Sequence, residues 1–153
     1  MDVLSTSVVA NGKKRKLNGK TDYTIGFARD SDVFDITPPN ELHLVAIEAK
    51  CRLDESDLWQ CVAETATLYK SRKDKNKSKC AVWGVLSNAK TWQFIHIDED
   101  GKLWRTEYFL LNLREYQDEQ VLVIYRMLYY MIKCCFESSP QVSPNVSNSE
   151  LVV

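Results

Sequence analysis

The chain has 153 residues, an apolar share of 44% and a formal net charge of −1. This length predicts one domain with a packed core, and the charge excludes a uniformly basic protein while permitting local basic patches. Five cysteines without paired metal-binding spacing favour a reducing compartment, and two histidines, His43 and His96, argue against a histidine-based triad or metal site.

Residues 1–20 are predicted to form a flexible N-terminal segment that carries one dense basic run. The run consists of Lys13, Lys14, Arg15 and Lys16. It indicates a nuclear localisation signal or an arm that binds phosphates, and a merely solvated tail is an equal alternative. The N-terminus lacks a basic start followed by a long apolar core, so we expect an intracellular protein, in the nucleus if the run is a localisation signal.

Two strands are predicted next, with a turn-rich excursion between them. Residues 21–28 read as a strand with Asp22 near its start, and residues 29–40 carry a Pro-Pro pair typical of turns. Residues 42–50, LHLVAIEAK, form a nearly continuous apolar run. Such a run predicts a strand that is buried on both faces.

A helix is predicted over residues 53–72, with Asp54 or Asp57 as its cap. A basic loop follows at residues 70–79, which we expect to lie beside the candidate site described below. Its cations are Lys70, Arg72, Lys73, Lys75, Lys77 and Lys79. Release of counterions from phosphates would favour nucleic-acid binding by this cluster, and a solvated loop is the alternative.

The second half of the chain predicts three strands, a helix and a tail. The strands cover residues 80–87, 91–97 and 103–109, and the helix covers about 116–136. Residues 138–153 are rich in Ser, Pro and Asn and are predicted to be disordered.

The resulting order, β-β-α-β-β-β-α, predicts one mixed α/β (α+β) domain over residues 21–137. The apolar stretch from 121 to 136 is interrupted by Arg126 and Lys133, so we expect a buried amphipathic helix there and no membrane span.

Four polar residues then converge on one place in the predicted fold. Glu48 and Lys50 are two residues apart in a strand and project to the same side, Asp22 begins the preceding strand, and Gln60 lies early in the following helix. Burying a charge is costly unless it is paired or binds a metal. Asp22, Glu48 and the backbone carbonyl of Ala49 would suit Mg²⁺, and Lys50 could orient an attacking water.

The helix carries a polar stripe that could face the same place. Gln60, Glu64 and Thr67 follow one another at helical spacing. Their stripe lies roughly opposite the apolar stripe that begins at Leu58 and Val62.

These residues resemble the PD-(D/E)xK nuclease superfamily, and in particular nuclease-like domains of fungal and Crinkler-type effectors. The resemblance runs from Asp22 to about Phe109 and includes the strand pair CAVWGVLS and KTWQFIHI. It implies a restriction-endonuclease-like fold with a mixed central sheet flanked by helices. It also implies Mg²⁺ or Mn²⁺ and hydrolysis of DNA or RNA, with Asp22, Glu48, Lys50 and Gln60 as the catalytic residues.

The chain departs from that family at its N-terminus. Many members place an acidic residue on a helix before the first core strand, whereas residues 1–21 contain no Glu and only one Asp, Asp2. Either the upstream helix is lost, or Asp2 or Glu64 takes the place of its acid. A lost helix would leave a surface that a second copy could cover, so a homodimer is one of the expected states.

The Glu48-Ala49-Lys50 motif also has simpler explanations. A (D/E)xK triplet arises by chance about once in a chain of this size and composition, and Asp100-Gly101-Lys102 is a second match in a turn. Glu48 and Lys50 could also be a structural ion pair. The sequence therefore predicts a metal-dependent nuclease, with an inactive nuclease-like fold that binds nucleic acid or a host protein as the alternative.

Overall fold

A computed structural model of the chain describes residues 2–26, 43–111 and 119–137. Its elements, in chain order, are β1 (Asp2–Ala10), β2 (Lys13–Thr21), β3 (Tyr23–Gly26), β4 (His43–Ala49), α1 (Glu55–Asp74), β5 (Val82–Ser87), β6 (Thr91–Ile97), β7 (Leu103–Arg105), β8 (Phe109–Leu110) and α2 (Glu119–Glu137). The expected turn region at 29–40 and the C-terminal tail lie outside the described residues.

The architecture is a mixed α+β fold, as predicted. Six strands form one sheet in the order β3-β4-β5-β6-β7, with β8 beside β6. Only β4 and β5 run parallel, and α1 connects them, while the other pairs of this sheet are antiparallel. Because α1 returns along the sheet, its first turns lie at the carboxyl ends of β4 and β5 and its last turn lies at the opposite edge.

The expectation of a flexible N-terminal segment is wrong, because β1 and β2 form a two-stranded antiparallel hairpin. Its two-residue turn is Asn11-Gly12, with φ of 50° and 71° respectively. Positive φ at both turn residues is the requirement of the tight hairpin turn that matches strand twist, and Asn-Gly is the pair that meets it best. The hairpin contacts α1 and leads directly into β3.

The two faces of the sheet bury different sets of residues. In β4 the side chain of Val45 packs on the α2 side, whereas that of Ala46 packs on the α1 side. The period of two along a strand therefore places Glu48 and Lys50 on the α1 side with Ala46. The prediction of a buried strand holds for Val45, Ala46 and Glu48, which are each at most 2% exposed.

Helix α1 begins at a capping box. The Asp54 side chain accepts hydrogen bonds from the backbone N–H groups of Ser56 and Asp57, and the Asp57 side chain accepts from the backbone N–H of Asp54. Both predicted residues therefore take part in the cap, because each side chain accepts a hydrogen bond from the backbone of the other. The helix continues to Asp74, so the first part of the predicted basic loop is helical.

The third predicted strand of the second half is divided in two. Leu103–Arg105 pairs with one end of β6 and Phe109–Leu110 with the other. Between them the backbone N–H of Thr106 donates to the Phe94 carbonyl, and the Thr106 hydroxyl accepts from the Phe94 N–H. Gly101, with φ of 84°, occupies the preceding turn as expected.

Helix α2 packs on the face of the sheet opposite α1. Ile124, Met131 and Cys135 are buried there with Val45 and Phe94. In the described part of the chain, no helix combines the length and apolarity needed to cross a bilayer.

Candidate functional site

A buried carboxylate marks the carboxyl end of β4. Glu48 is 2% exposed, and its Oε1 atom lies 2.5 Å from the Nζ atom of Lys50. The two side chains project together, as their i, i+2 spacing in a strand predicts. The Lys50 Nζ atom also lies 3.9 Å from an Asp57 carboxylate oxygen. The hydrogen bond to Glu48, against a smaller opposing effect of burial, raises the pKa of Lys50, so the ammonium stays charged.

The first turns of α1 complete this cluster. The Gln60 amide donates to Glu48 Oε1 at 2.8 Å and to Glu64 Oε1 at 3.0 Å, and its carbonyl oxygen accepts from Lys50 Nζ at 3.3 Å. Gln60 therefore joins the strand to the helix, as the sequence predicted. Glu64 and Thr67, from the same polar stripe, are 3% and 5% exposed, whereas Gln60 is exposed, so the stripe is buried beyond its first residue.

Asp22 lies at the same end of β4, on the side of the neighbouring strand β3. It lies between β2 and β3, and its Oδ2 atom accepts a hydrogen bond from the backbone N–H of Ala49 at 2.9 Å. Thr21, which is fully buried, donates its hydroxyl to the carbonyl of Ile47 at 3.3 Å. These contacts hold the Asp22 carboxylate against the Glu48-Ala49-Lys50 segment, where the sequence placed it.

Glu64 is the second buried acid of the site. Burial raises its pKa to about 7 against the smaller, opposing effect of the hydrogen bond from the Gln60 amide, and the negative charge of Glu48 adds a lesser contribution to the rise. Its carboxyl group is within hydrogen-bonding reach of Glu48. Glu48 Oε2 and Glu64 Oε2 are both buried with no hydrogen-bond partner among the described residues. A proton on Glu64 would give the site a donor, because a carboxyl group donates where a carboxylate only accepts.

The raised pKa of Glu64 predicts a pH-dependent stability. A folded-state pKa above the ordinary 4.5 means that the contribution of Glu64 to stability is fully present below pH 4.5 and is lost as the pH rises to about 7. We expect the Glu64→Gln variant to lack this loss, so that the variant gains about 3 kcal/mol relative to the wild type between pH 4.5 and pH 8. Urea unfolding of both proteins in EDTA measures the difference.

The control for this prediction is Glu107→Gln, because Glu107 is exposed. We expect it to follow the wild type at each pH. A constant difference in free energy of unfolding between wild type and Glu64→Gln across this range would contradict the assignment of the titration to Glu64.

The basic cluster at residues 70–79 does not lie beside the site. Gln60 is at the start of α1 and Lys70 is ten residues further on, about 15 Å along the helix axis, at the opposite edge of the sheet. Arg72 is 5% exposed and donates two hydrogen bonds to the Lys79 carbonyl, so its guanidinium is held within the fold, and its role in binding phosphate stays a prediction. Lys70 pairs with Asp74 at 2.9 Å within the helix.

The other basic run lies at the hairpin tip. Its side chains, those of Lys13, Lys14, Arg15 and Lys16, are exposed. They begin β2, whose last residue, Thr21, adjoins Asp22. A strand rises about 3.3 Å per residue, so Lys16 is about 20 Å along the chain from the acidic cluster. Whether this run binds nucleic acid stays a prediction.

The cluster has the oxygen donors that a hard divalent cation prefers. Asp22, Glu48 and the Ala49 carbonyl remain the predicted ligands, and the two unpartnered carboxylate oxygens are further donors. Within the described ranges, however, no three His, Cys, Asp or Glu side chains stand close enough together to form a metal-holding group. In this geometry the Lys50 ammonium is the cation that Glu48 contacts.

Two members of the cluster lie outside the four predicted catalytic residues, although the sequence places Glu64 on the polar stripe that could face the site and offers it as a replacement for the upstream acid. Asp57 contributes a further negative charge to Lys50, and Glu64 adds the second buried acid. The sequence carried a signal for Glu64, because Gln60 and Glu64 are spaced i, i+4 and so share a helix face. Nothing in the spacing of Asp57 distinguishes its contact with Lys50 from its role in the cap.

Comparisons of the chain with protein-family models, with curated proteins and with solved structures found no match.

Proposed function

We propose that this protein is a metal-dependent nuclease that hydrolyses phosphodiester bonds of DNA or RNA, on a restriction-endonuclease-like fold. The observation that carries the proposal is the convergence of Asp22, Glu48, Lys50 and Gln60 on one edge of the sheet. Nothing in the local folding of β4 requires a buried carboxylate at this position. Because an isolated buried charge is costly, retaining Glu48 needs a compensating partner or a use.

Each side chain has a role in this proposal. Asp22, Glu48 and the Ala49 carbonyl would hold Mg²⁺ or Mn²⁺. When bound, the cation would lower the pKa of a water and stabilise charge on the attacked phosphate. Lys50 keeps a charged ammonium beside Glu48, from which it would orient the water and offset charge in the transition state. Gln60 fixes the positions of Glu48 and Lys50.

Negative charge around one cation supports the proposal. The Lys50 ammonium lies 2.5 Å from a Glu48 carboxylate oxygen and 3.9 Å from one of Asp57, and the negative charge of Asp22 also acts on it. Several carboxylates with one ammonium leave an excess of negative charge, which favours binding of a further cation. The unpartnered Glu48 Oε2 atom offers such a cation a ligand that the fold does not otherwise use.

A second candidate function is a nuclease-like module that binds nucleic acid or a host protein without cleaving. The contact between Glu48 and Lys50 favours it, because an ammonium at this carboxylate already compensates its charge. The lack of a three-residue metal-holding group within the described ranges favours it as well. Binding by the exposed basic run at the hairpin tip would then depend on salt and not on metal.

The deciding experiment is cleavage of DNA and RNA, each single- and double-stranded, in Mg²⁺, Mn²⁺ or EDTA. A nuclease produces cleavage with a divalent cation and none in EDTA. A binding module produces retention on the same substrates that falls with salt, is equal in EDTA and Mg²⁺, and survives Glu48→Gln. Metal-independent retention without cleavage of any of the four substrates would reject the first candidate in favour of the second.

A further inference from the structure

The outer face of α2 (Glu119–Glu137) carries an exposed apolar stripe that no described part of the chain covers. Leu122, Tyr125, Tyr129 and Ile132 are 47%, 65%, 60% and 52% exposed. They are distinct from the inner stripe, which packs on the sheet. Their spacing of three, four and three residues is that of a coiled-coil seam, in which the facing residues lie on one side of the helix.

The exposed stripe is symmetric about Met127. Tyr125 and Tyr129 lie two residues to either side of it, and Leu122 and Ile132 lie five residues to either side. If two copies of α2 pair in antiparallel orientation about this level, Leu122 of each faces Ile132 of the other, and Tyr125 faces Tyr129. A surface that is its own complement under a two-fold rotation is the requirement of an isologous dimer.

The charges that flank the stripe fit the same arrangement. Glu119 and Lys133 occupy the same heptad position, the one that directly follows the second seam position of each heptad. In an antiparallel pair of helices, this position of one helix faces the same position of the other. Glu119 of one copy therefore comes near Lys133 of the other at both ends of the interface. Arg126 occupies this position at the centre, where the two copies' guanidinium groups approach each other and oppose the pairing.

We propose that the protein forms a homodimer through antiparallel pairing of α2. The stripe, defined by Leu122, Tyr125, Tyr129 and Ile132, forms the seam, and Glu119 pairs with Lys133 across it. A helix of 19 residues is about 28 Å long, so this interface is at the small end of those that form stable complexes. The dimer is therefore expected to dissociate at micromolar concentration. This proposal is independent of the proposed function, because α2 lies on the face of the sheet away from the acidic cluster.

The test is the molar mass of the full chain by sedimentation equilibrium, from about 1 µM to about 100 µM. We expect the wild type to approach twice the monomer mass, and Tyr125→Glu and Tyr129→Glu to remain monomeric. Tyr130→Glu is the matched control, because it makes the same exchange on the same helix at a residue that is 51% exposed but lies off the stripe. It should dimerise as the wild type does, with folding of each variant checked by circular dichroism.

A charge exchange distinguishes the antiparallel pairing from general stickiness. Glu119→Lys and Lys133→Glu should each weaken the dimer by about tenfold, and the double variant should restore it. Arg126→Gln should strengthen it. A wild type that is monomeric at every concentration, or a dimer that survives Tyr125→Glu, would overturn the proposal and leave the stripe to another part of the chain or another protein. Failure of the double variant to recover would overturn the antiparallel arrangement.

Discussion

We expect the Glu48→Gln variant to lose metal-dependent cleavage, by about 10³-fold or more, while remaining folded. The exchange keeps the shape of the side chain and its contact with the Gln60 amide but removes the negative charge that would bind the cation. A loss of this size corresponds to about 4 kcal/mol of transition-state stabilisation. The measurement is single-turnover cleavage in Mg²⁺, with the exposed Glu107→Gln variant as the control that should keep full activity.

Comparing Lys50→Met with Glu48→Gln separates the contribution of the Glu48–Lys50 ion pair to stability from a role of Glu48 in cleavage. This variant leaves Glu48 as a buried carboxylate without its ammonium, which is expected to lower the free energy of unfolding by about 3 kcal/mol. Glu48→Gln leaves only Lys50 without its charged partner. The Lys50 side chain is 27% exposed and also lies near Asp57. We therefore expect Glu48→Gln to lower the free energy of unfolding by about 1 kcal/mol or less. Full cleavage by Glu48→Gln would contradict the proposed mechanism.

The part of the site that the sequence predicted is the part set by short-range periodicity. The i, i+2 relation of Glu48 and Lys50 in a strand and the position of Gln60 at the start of the next helix follow from the period of each element. The capping box at Asp54 and Asp57 fixes where that helix begins, and so brings Gln60 level with the end of β4. The closeness of Asp22 follows because the strand after it pairs with β4.

The hairpin was predictable and was nevertheless missed. Asn11-Gly12 between two runs is the strongest short signal for a two-residue turn, but the adjoining basic run at residues 13–16 favoured a flexible segment. Its charges do not oppose a strand, because their side chains project from the hairpin into solvent. The extension of α1 to Asp74 has a similar cause, since Lys and Arg are good helix formers and favour a helix C-terminus.

Burial was the property least visible in the sequence. Arg72 is buried within a basic run, whereas the apolar Trp104 and Trp59 side chains are 51% and 57% exposed and Cys51, next to a buried strand, is exposed. These outcomes depend on how α1 and the edge strands lie on the sheet, which local patterns do not specify. Glu64 is the example of unpredicted burial within the candidate site. Its pKa is raised because α1 lies close to β4 and buries the carboxyl group.

That close approach predicts a large effect at Gly84, in the middle of β5. A methyl group at this position would overlap the hydroxyl oxygen of Thr65 on α1 and lie 3.3 Å from Cβ of Ile95 and 3.4 Å from Sγ of Cys61. The Thr65 hydroxyl cannot easily move, because it donates to the Cys61 carbonyl at 2.8 Å. We expect Gly84→Ala to lower the free energy of unfolding by about 2–3 kcal/mol, measured by urea unfolding.

The double variant Gly84→Ala/Thr65→Ala tests the cause. Removing the hydroxyl removes the worst overlap, so the two exchanges should together cost less than the sum of their separate costs. Simple additivity would contradict direct contact as the reason. Because Gln60 and Glu64 reach Glu48 only while α1 lies close to the sheet, Gly84→Ala should also lower the raised pKa of Glu64 toward its ordinary value. The lack of a side chain at Gly84 thus sets how closely the helix side of the acidic cluster meets the strand side.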